Sequence, residues 1–184
     1  MSNDYINLKD KYFKEVIPVM KERFGYKSDL AVPRIIKVVI NTGIGRFREN
    51  KELVEKLEKD LAAIAGQKPA ITQAKKSVAA FKIRKGLKVG YKITLRGQRM
   101  YDFLDKLINI ALPRSRDFRG LSEKSIDKNG NLTIGIKEHI IFPEISAEEA
   151  KHIFGLEVCI VLSNVKERKE AIEFFKLLGF PFRK

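Results

Sequence analysis

From Val89 to Arg96 apolar and polar residues alternate without a break. Val89, Tyr91, Ile93 and Leu95 fall on one side, and Gly90, Lys92, Thr94 and Arg96 on the other. Successive side chains of a strand point to opposite faces of a sheet, so this segment reads as a strand with one oily and one wet face. Leu132–Lys137 repeats the split, with Leu132, Ile134 and Ile136 opposite Thr133, Gly135 and Lys137. In Arg34–Ile44, Ile36, Val38 and Ile40 oppose Lys37, Val39, Asn41 and Gly43. Lys68–Thr72 and Glu157–Leu162 are the other strand candidates. Strands of this kind, sharing a sheet, need an apolar cover on one side only.

Helical stripes supply that cover. Tyr5, Leu8, Tyr12, Val16 and Met20 recur at three- or four-residue spacing. Pro18 inside that pattern predicts a kink, and Gly25 a stop. A second helix is expected from about Lys51 to Ala65, with Leu53, Leu57, Leu61 and Ile64 as its stripe and Gly66 ending it. A third near Gln98–Leu112 carries Met100, Phe103, Leu104 and Leu107, with Pro113 after it. Ser146 and Glu149 have capping-box spacing for a short fourth. The last is expected from Asn164 to Leu178, with an Asn-x-x-Glu start at Asn164 and Glu167. Strands interrupted irregularly by helices predict an α+β fold: two layers, a mainly antiparallel sheet, helices on one face and an open basic face. With 184 residues and no Pro/Ser linker or repeat, the chain reads as a single RNA-binding domain over residues 1–184.

The open face would carry lysines, an arginine, Asn and Thr, and glycines small enough to let a sugar–phosphate backbone approach. An ordinary half-solvated sheet also alternates, but this face is small, basic and almost free of carboxylates. The charge balance agrees. Thirty-seven Lys and Arg against 23 Asp and Glu leave a formal +14, an excess that favours polyanions. The cations are segregated. Lys68, Lys75, Lys76, Lys82, Arg84, Lys85, Lys88, Lys92, Arg96 and Arg99 fall in a span without one Asp or Glu. Just before it, Glu49, Glu52, Glu55, Glu58 and Asp60 form an acid-rich stretch. A solvated helix face usually mixes signs, so a long block of one sign points to a partner. Its middle, Ala74–Gly86, lies between strand signals and reads as a long, mobile basic loop that meets RNA.

Other classes fare worse. His139, His152 and Cys159 show no metal-ligand spacing, and no metal or other cofactor is expected. Cys159, inside Val158-Cys159-Ile160-Val161-Leu162, reads as a small buried hydrophobe. Gly43-Ile44-Gly45 follows a strand, but Arg48 stands where a dinucleotide loop needs its third glycine. Lys85-Gly86-Leu87-Lys88-Val89-Gly90-Tyr91 lacks the stacking aromatics of an RRM, so contacts to RNA backbone and shape are expected to dominate. No stretch reaches the ~20 apolar residues of a membrane span. The start of the chain lacks a signal-peptide core, and a lone cysteine suits a reducing compartment. A cytoplasmic protein is expected.

Several segments resemble those of a known family. Asn41-Thr42-Gly43-Ile44-Gly45, Ala74-Lys75-Lys76-Ser77-Val78-Ala79 with Phe81-Lys82-Ile83-Arg84, Val89-Gly90 and Thr94-Leu95-Arg96-Gly97 resemble the bacterial large-subunit ribosomal protein five family. So do Met100-Tyr101, Leu112-Pro113-Arg114, Arg116-Asp117-Phe118-Arg119-Gly120, Ile141-Phe142-Pro143-Glu144 and Gly179-Phe180-Pro181-Phe182. The resemblance is collinear and covers nearly the whole chain. It implies a non-enzymatic protein that binds 5S rRNA and fixes it in the central protuberance of the large subunit. Its implied partners are 5S rRNA, 23S rRNA, P-site tRNA, ribosomal proteins eighteen and twenty-five, and protein thirteen of the small subunit. By the same resemblance, Asn41, Gln67, Thr94 and Arg96 face 5S rRNA, and Lys92 joins them from the alternation. Lys75, Lys76, Ser77, Lys82 and Arg84 belong to the loop that reaches tRNA, and Arg114, Arg116 and Arg119 lie toward the small subunit. An RNA-modifying enzyme and a non-specific nucleic-acid-binding protein are the alternatives.

Overall fold

The computed structural model describes residues 6–116, 118–146 and 152–183. Among these residues are five strands: β1 (Arg34–Gly43), β2 (Ala70–Gln73), β3 (Lys88–Leu95), β4 (Leu132–Ile136) and β5 (Leu156–Ser163). They form one open, antiparallel sheet in the order β2-β3-β1-β5-β4. The expected α+β architecture holds. The inward faces are apolar as the alternation requires: Tyr91, Ile93 and Leu95 on β3, Leu132, Ile134 and Ile136 on β4, and Leu156, Val158, Ile160 and Leu162 on β5 are buried. On β1 the phase slips. Ile35, not Ile36, is buried with Val38 and Ile40, and Ile36 faces out. Ile36 and Lys37 are two successive outward residues, which a strict period of two could not reveal.

The chain packs as two compact units. The first comprises Met1–Val38, Arg96–Ile134 and Cys159–Lys184. Its helix α1 runs through Leu8–Lys11, Tyr12–Val16 and Ile17–Phe24, and α3 through Gly97–Lys106, Leu107–Ala111 and Leu112–Arg114. The middle segment of each is a π-turn, with Ile17 N–H donating to the Tyr12 carbonyl and Leu112 N–H to that of Leu107. Pro18 and Pro113 come next. A proline has no N–H, and its ring crowds the carbonyl four residues back; widening the preceding turn makes room. Both helices therefore continue past their prolines; the π-turn beside Pro18 marks the place where the sequence suggested a kink, whereas α3 runs on to Arg114 where Pro113 suggested an end. Gly25 stops α1 as expected, with φ 69° and its N–H on the Lys21 carbonyl.

The last helix, α4 (Arg168–Leu178), begins later than expected. Asn164 adopts a left-handed conformation, and its side-chain amide donates to the Leu30 carbonyl at 2.8 Å. The start is marked instead by Glu170, whose carboxylate accepts from Lys166 N at 2.9 Å and Glu167 N at 3.4 Å. Around α4 the rings of Tyr12, Phe174, Phe175 and Phe180 meet edge to face at centroid separations of 5.1 to 6.0 Å, the arrangement favoured by their quadrupoles.

The second unit comprises Val39–Leu95 and Gly135–Val158. Helix α2 (Lys51–Ala65) has the expected bounds. The Asn50 side chain caps it by accepting from Leu53 N, and Gly66 ends it at φ 64°. Leu57, Leu61 and Ile64 are buried. Glu58 of α2 accepts a 2.9 Å hydrogen bond from the Tyr91 hydroxyl of β3, and burial, then Glu58, pushes that phenol up to about 12. The short helix suggested at Ser146 and Glu149 falls largely outside the described residues.

Candidate nucleic-acid interface

On β3, Lys92 and, just past its end, Arg96 are exposed, and Thr94 is half-buried. Asn41 is exposed on β1. Gln67 lies just past the left-handed Gly66, and that reversal brings its side-chain amide to the Thr94 carbonyl at 3.4 Å. Gln67 and Thr94 are thus adjacent, although 27 residues apart in sequence. Ala70 of β2 pairs opposite Lys92 and Thr72 opposite Gly90, which extends the small, uncharged surface beside Lys92. Two of the glycines are open: Gly135 has nothing near its missing Cβ, and Gly43 only the Val89 carbonyl at 4.0 Å.

Gly90 serves a different purpose from the one its alternation suggested. It is buried, and a Cβ there would stand 2.4 Å from the Thr42 carbonyl and 3.0 Å from the Thr72 hydroxyl. Its lack of a side chain lets β1 approach β3. Cys159 is also corrected. Val158 and Ile160 point inward, so Cys159 points out and is half-exposed, 3.8 Å from the Thr133 hydroxyl. Glu157, exposed on β5, adds a carboxylate on that strand's outward side.

The basic segment after β2 is a hydrogen-bonded hairpin rather than an unstructured loop. Ala74 N–H donates to the Leu87 carbonyl and Gly86 N–H to that of Ala74, both at 2.9 Å. Farther out, Val78 pairs antiparallel with Ile83, and the Ser77 hydroxyl accepts from Lys85 N at 3.0 Å. Ala79–Phe81 makes a single 3-10 turn at the crown, closed by Lys82 in a left-handed conformation. Arg48 reaches the Lys82 carbonyl at 3.4 Å. Lys75, Lys76, Ser77, Lys82, Arg84 and Lys85 are all exposed. Ser77 is a brace within the hairpin, whereas the lysines and Arg84 project ammonium and guanidinium groups to solvent. Neither the brace nor the Arg48 tether had a sequence signal, because each joins groups that only the hairpin brings together.

Arg114 ends α3, and Arg116 and Arg119 follow; all three are exposed. Their segment is pinned by the end of the chain. Leu121 N–H donates to the Pro181 carbonyl at 2.7 Å, Arg183 N–H to that of Leu121 at 2.9 Å, and Arg183 Nε to that of Gly120 at 3.0 Å. Gly120 has φ 88°, and a Cβ there would meet Arg183 N at 2.8 Å. These three arginines stand in the first unit, and Asn41, Gln67, Lys92, Thr94 and the hairpin in the second.

Among the described residues no group of His, Cys, Asp and Glu is placed to hold a metal, and no helix is long and apolar enough to cross a membrane. His139 is fully buried and stacked on Phe154 at 3.8 Å. Burial pushes its imidazole down to about 4, so it is a neutral core residue at physiological pH.

Comparison with known proteins gives a family. Residues 28–84 match the family model for ribosomal protein L5, and residues 88–182 match the model for the C-terminal part of the same ribosomal family. The chain is 53% identical to large ribosomal subunit protein uL5 of Kosmotoga olearia and 50% identical to that of Fervidobacterium nodosum, over the full length of both chains in each case. It is 53% identical to uL5 of Thermoanaerobacter sp. strain X514, with 96% of this chain and 98% of the relative covered. The chain with the open basic sheet face and the basic hairpin belongs to the bacterial ribosomal protein L5 family.

Proposed function

We propose that this protein is a structural component of the large ribosomal subunit that binds 5S rRNA with the open face of its sheet and attaches it in the central protuberance. The observation that carries this reading is the surface of Asn41, Gln67, Lys92 and Thr94, with Arg96 following β3, all exposed or half-exposed. Its amides and hydroxyl suit sugar and base edges, its cations suit phosphates, and Gly43 offers close approach. The hairpin of Lys75, Lys76, Lys82 and Arg84 reaches P-site tRNA, where flexible ammonium groups serve as point charges. Arg114, Arg116 and Arg119 face the small subunit and its protein thirteen. 23S rRNA and ribosomal proteins eighteen and twenty-five complete the neighbourhood. The role is architectural and needs no cofactor, and the protein works on cytoplasmic ribosomes.

The test is a competition. The purified protein, titrated with labelled 5S rRNA, is expected to retain it against an excess of duplex DNA of equal length. Equal displacement by DNA would reduce the protein to a non-specific polyanion binder. Large subunits purified from cells should contain the protein and lose it together with 5S rRNA when 5S rRNA is stripped.

A further inference from the structure

Phe81 stands at the crown of the basic hairpin with 72% of its surface exposed, more than any other aromatic among the described residues. Burying such a ring is worth about 2–3 kcal/mol, and the fold leaves that unused. A solitary surface hydrophobe is ordinary, but this one is mounted. Its N–H is tied back to the Val78 carbonyl at 3.3 Å, and the Val78–Ile83 pair sits directly beneath it. Lys82, next in sequence, holds φ 51°, a left-handed conformation that costs a non-glycine residue free energy and that concentrates at functional sites. Its neighbours Ala79 and Ala80 are small and exposed, so neither crowds the ring. The same hairpin carries the exposed Lys75, Lys76, Lys82, Arg84 and Lys85, with no acidic residue between Lys68 and Arg99. That charge selects a polyanion as the occupant of the ring's free face. Within a polyanionic RNA, the group that matches an aromatic face is the face of a base.

We propose that Phe81 stacks on an unpaired base of the RNA that the hairpin engages, so that the hairpin distinguishes looped or single-stranded nucleotides from paired ones. This rests on the hairpin being an RNA-contacting element. The cations reach phosphates of any RNA and supply affinity without selection. The ring adds the selection, because bases in a paired A-form helix are stacked on one another and present no free face. The hairpin therefore combines electrostatic capture with one stacking platform at its tip.

The chain contains no tryptophan, so Phe81→Trp introduces the only indole and reports stacking by quenching of its fluorescence. The full-length variant is titrated with an RNA stem–loop and with a fully paired RNA of equal length and charge. The indole at position 81 is expected to be quenched by the stem–loop and not by the duplex. Phe81→Leu keeps apolar bulk but removes the aromatic face. It should lower the preference for stem–loop over duplex by roughly 5- to 100-fold, the worth of one base–aromatic stack, without changing the salt slope. Phe81→Tyr should retain the preference. An indole that stays bright while labelled stem–loop is bound, quenching that is equal for both RNAs, or a wild-type preference in Phe81→Leu each overturns the proposal. A Lys75→Ala, Lys76→Ala, Lys82→Ala variant separates the two layers of the argument. If that variant loses stem–loop affinity while the indole of Phe81→Trp stays unquenched, stacking alone falls. If it binds as wild type with the same salt slope, the hairpin is not an RNA-contacting element and both readings fall.

Discussion

Thr94 and Asn41 differ from their neighbours in having little to do within the fold: Asn41 is exposed on β1, and the Thr94 side chain faces the open side of β3. Thr94→Val preserves shape and removes the hydroxyl, and Asn41→Ala removes the amide. Each is expected to weaken 5S rRNA binding by about 1–3 kcal/mol, because the RNA partner loses a hydrogen bond it cannot replace. A filter-binding titration beside a thermal melt measures both effects; unchanged affinity in both variants moves the RNA elsewhere. His139 makes the opposite kind of residue, wholly internal. Its Nε2 has no hydrogen-bond partner and lies 3.7 Å from Asp60 Oδ2. Its folded value of about 4 lies below the ordinary 6.5. The unfolded chain therefore takes up the proton first. The stability owed to neutral His139 is complete above about pH 6.5 and declines as pH falls toward 4, by about 3 kcal/mol in all. Urea unfolding between pH 7 and pH 4 should show that decline. His139→Phe, which cannot titrate, should flatten it, and a decline of the same size in that variant would assign it to other groups.

At the scale of elements, the hairpin from Ala74 to Leu87 carries its own backbone hydrogen bonds, and its cations point to solvent. Replacing Lys75, Lys76 and Lys82 together by Ala is expected to leave the melting temperature nearly unchanged, since such surface substitutions are usually within about 0.5 kcal/mol each. 5S rRNA binding should also persist, because the sheet face is untouched. Ribosomes reconstituted with the variant should release P-site tRNA faster than wild type. Equal off-rates would confine these lysines to solubility or to 23S rRNA. A large loss of 5S rRNA binding would make hairpin and sheet one site. The two π-turns show how an element can defeat its own sequence signals. Pro18 and Pro113 strain a helix by local rules, yet α1 and α3 absorb them by widening one turn, with Ile17 and Met20 buried around the first and Leu112 buried just before the second.

Over the whole molecule, the +14 charge sets how binding responds to ions. If about five to eight phosphates are neutralised, log K for 5S rRNA should fall against log salt with a slope of roughly −4 to −7. A slope near zero, read from titrations at several salt concentrations, would remove the electrostatic basis of the interface. Much of this molecule was legible before any coordinates. Period-two alternation marked β3 and β4 and, with a slip of phase, β1, and the stripe from Leu53 to Ile64 with Gly66 after it marked the bounds of α2, because burial on one face leaves a local, periodic trace. The one-sign block from Lys68 to Arg99 located the hairpin. What local pattern could not reach were groups joined over distance. Gly90 reads as an open-face glycine until the Thr42 carbonyl is found against it, and Asn164 reads as a helix cap until its amide is found on Leu30. The sequence by itself therefore determined that strands have one apolar and one polar face and that cations cluster in one stretch, hence the fold class and the preference for a polyanion, though not the side on which Ile36 or Cys159 falls. Tertiary structure alone decided which glycines have open space at the missing Cβ, that Gln67 stands beside Thr94, and that Phe81 is held bare at the tip of a braced hairpin. Those are matters of through-space approach between segments distant in the chain, and no periodicity records them.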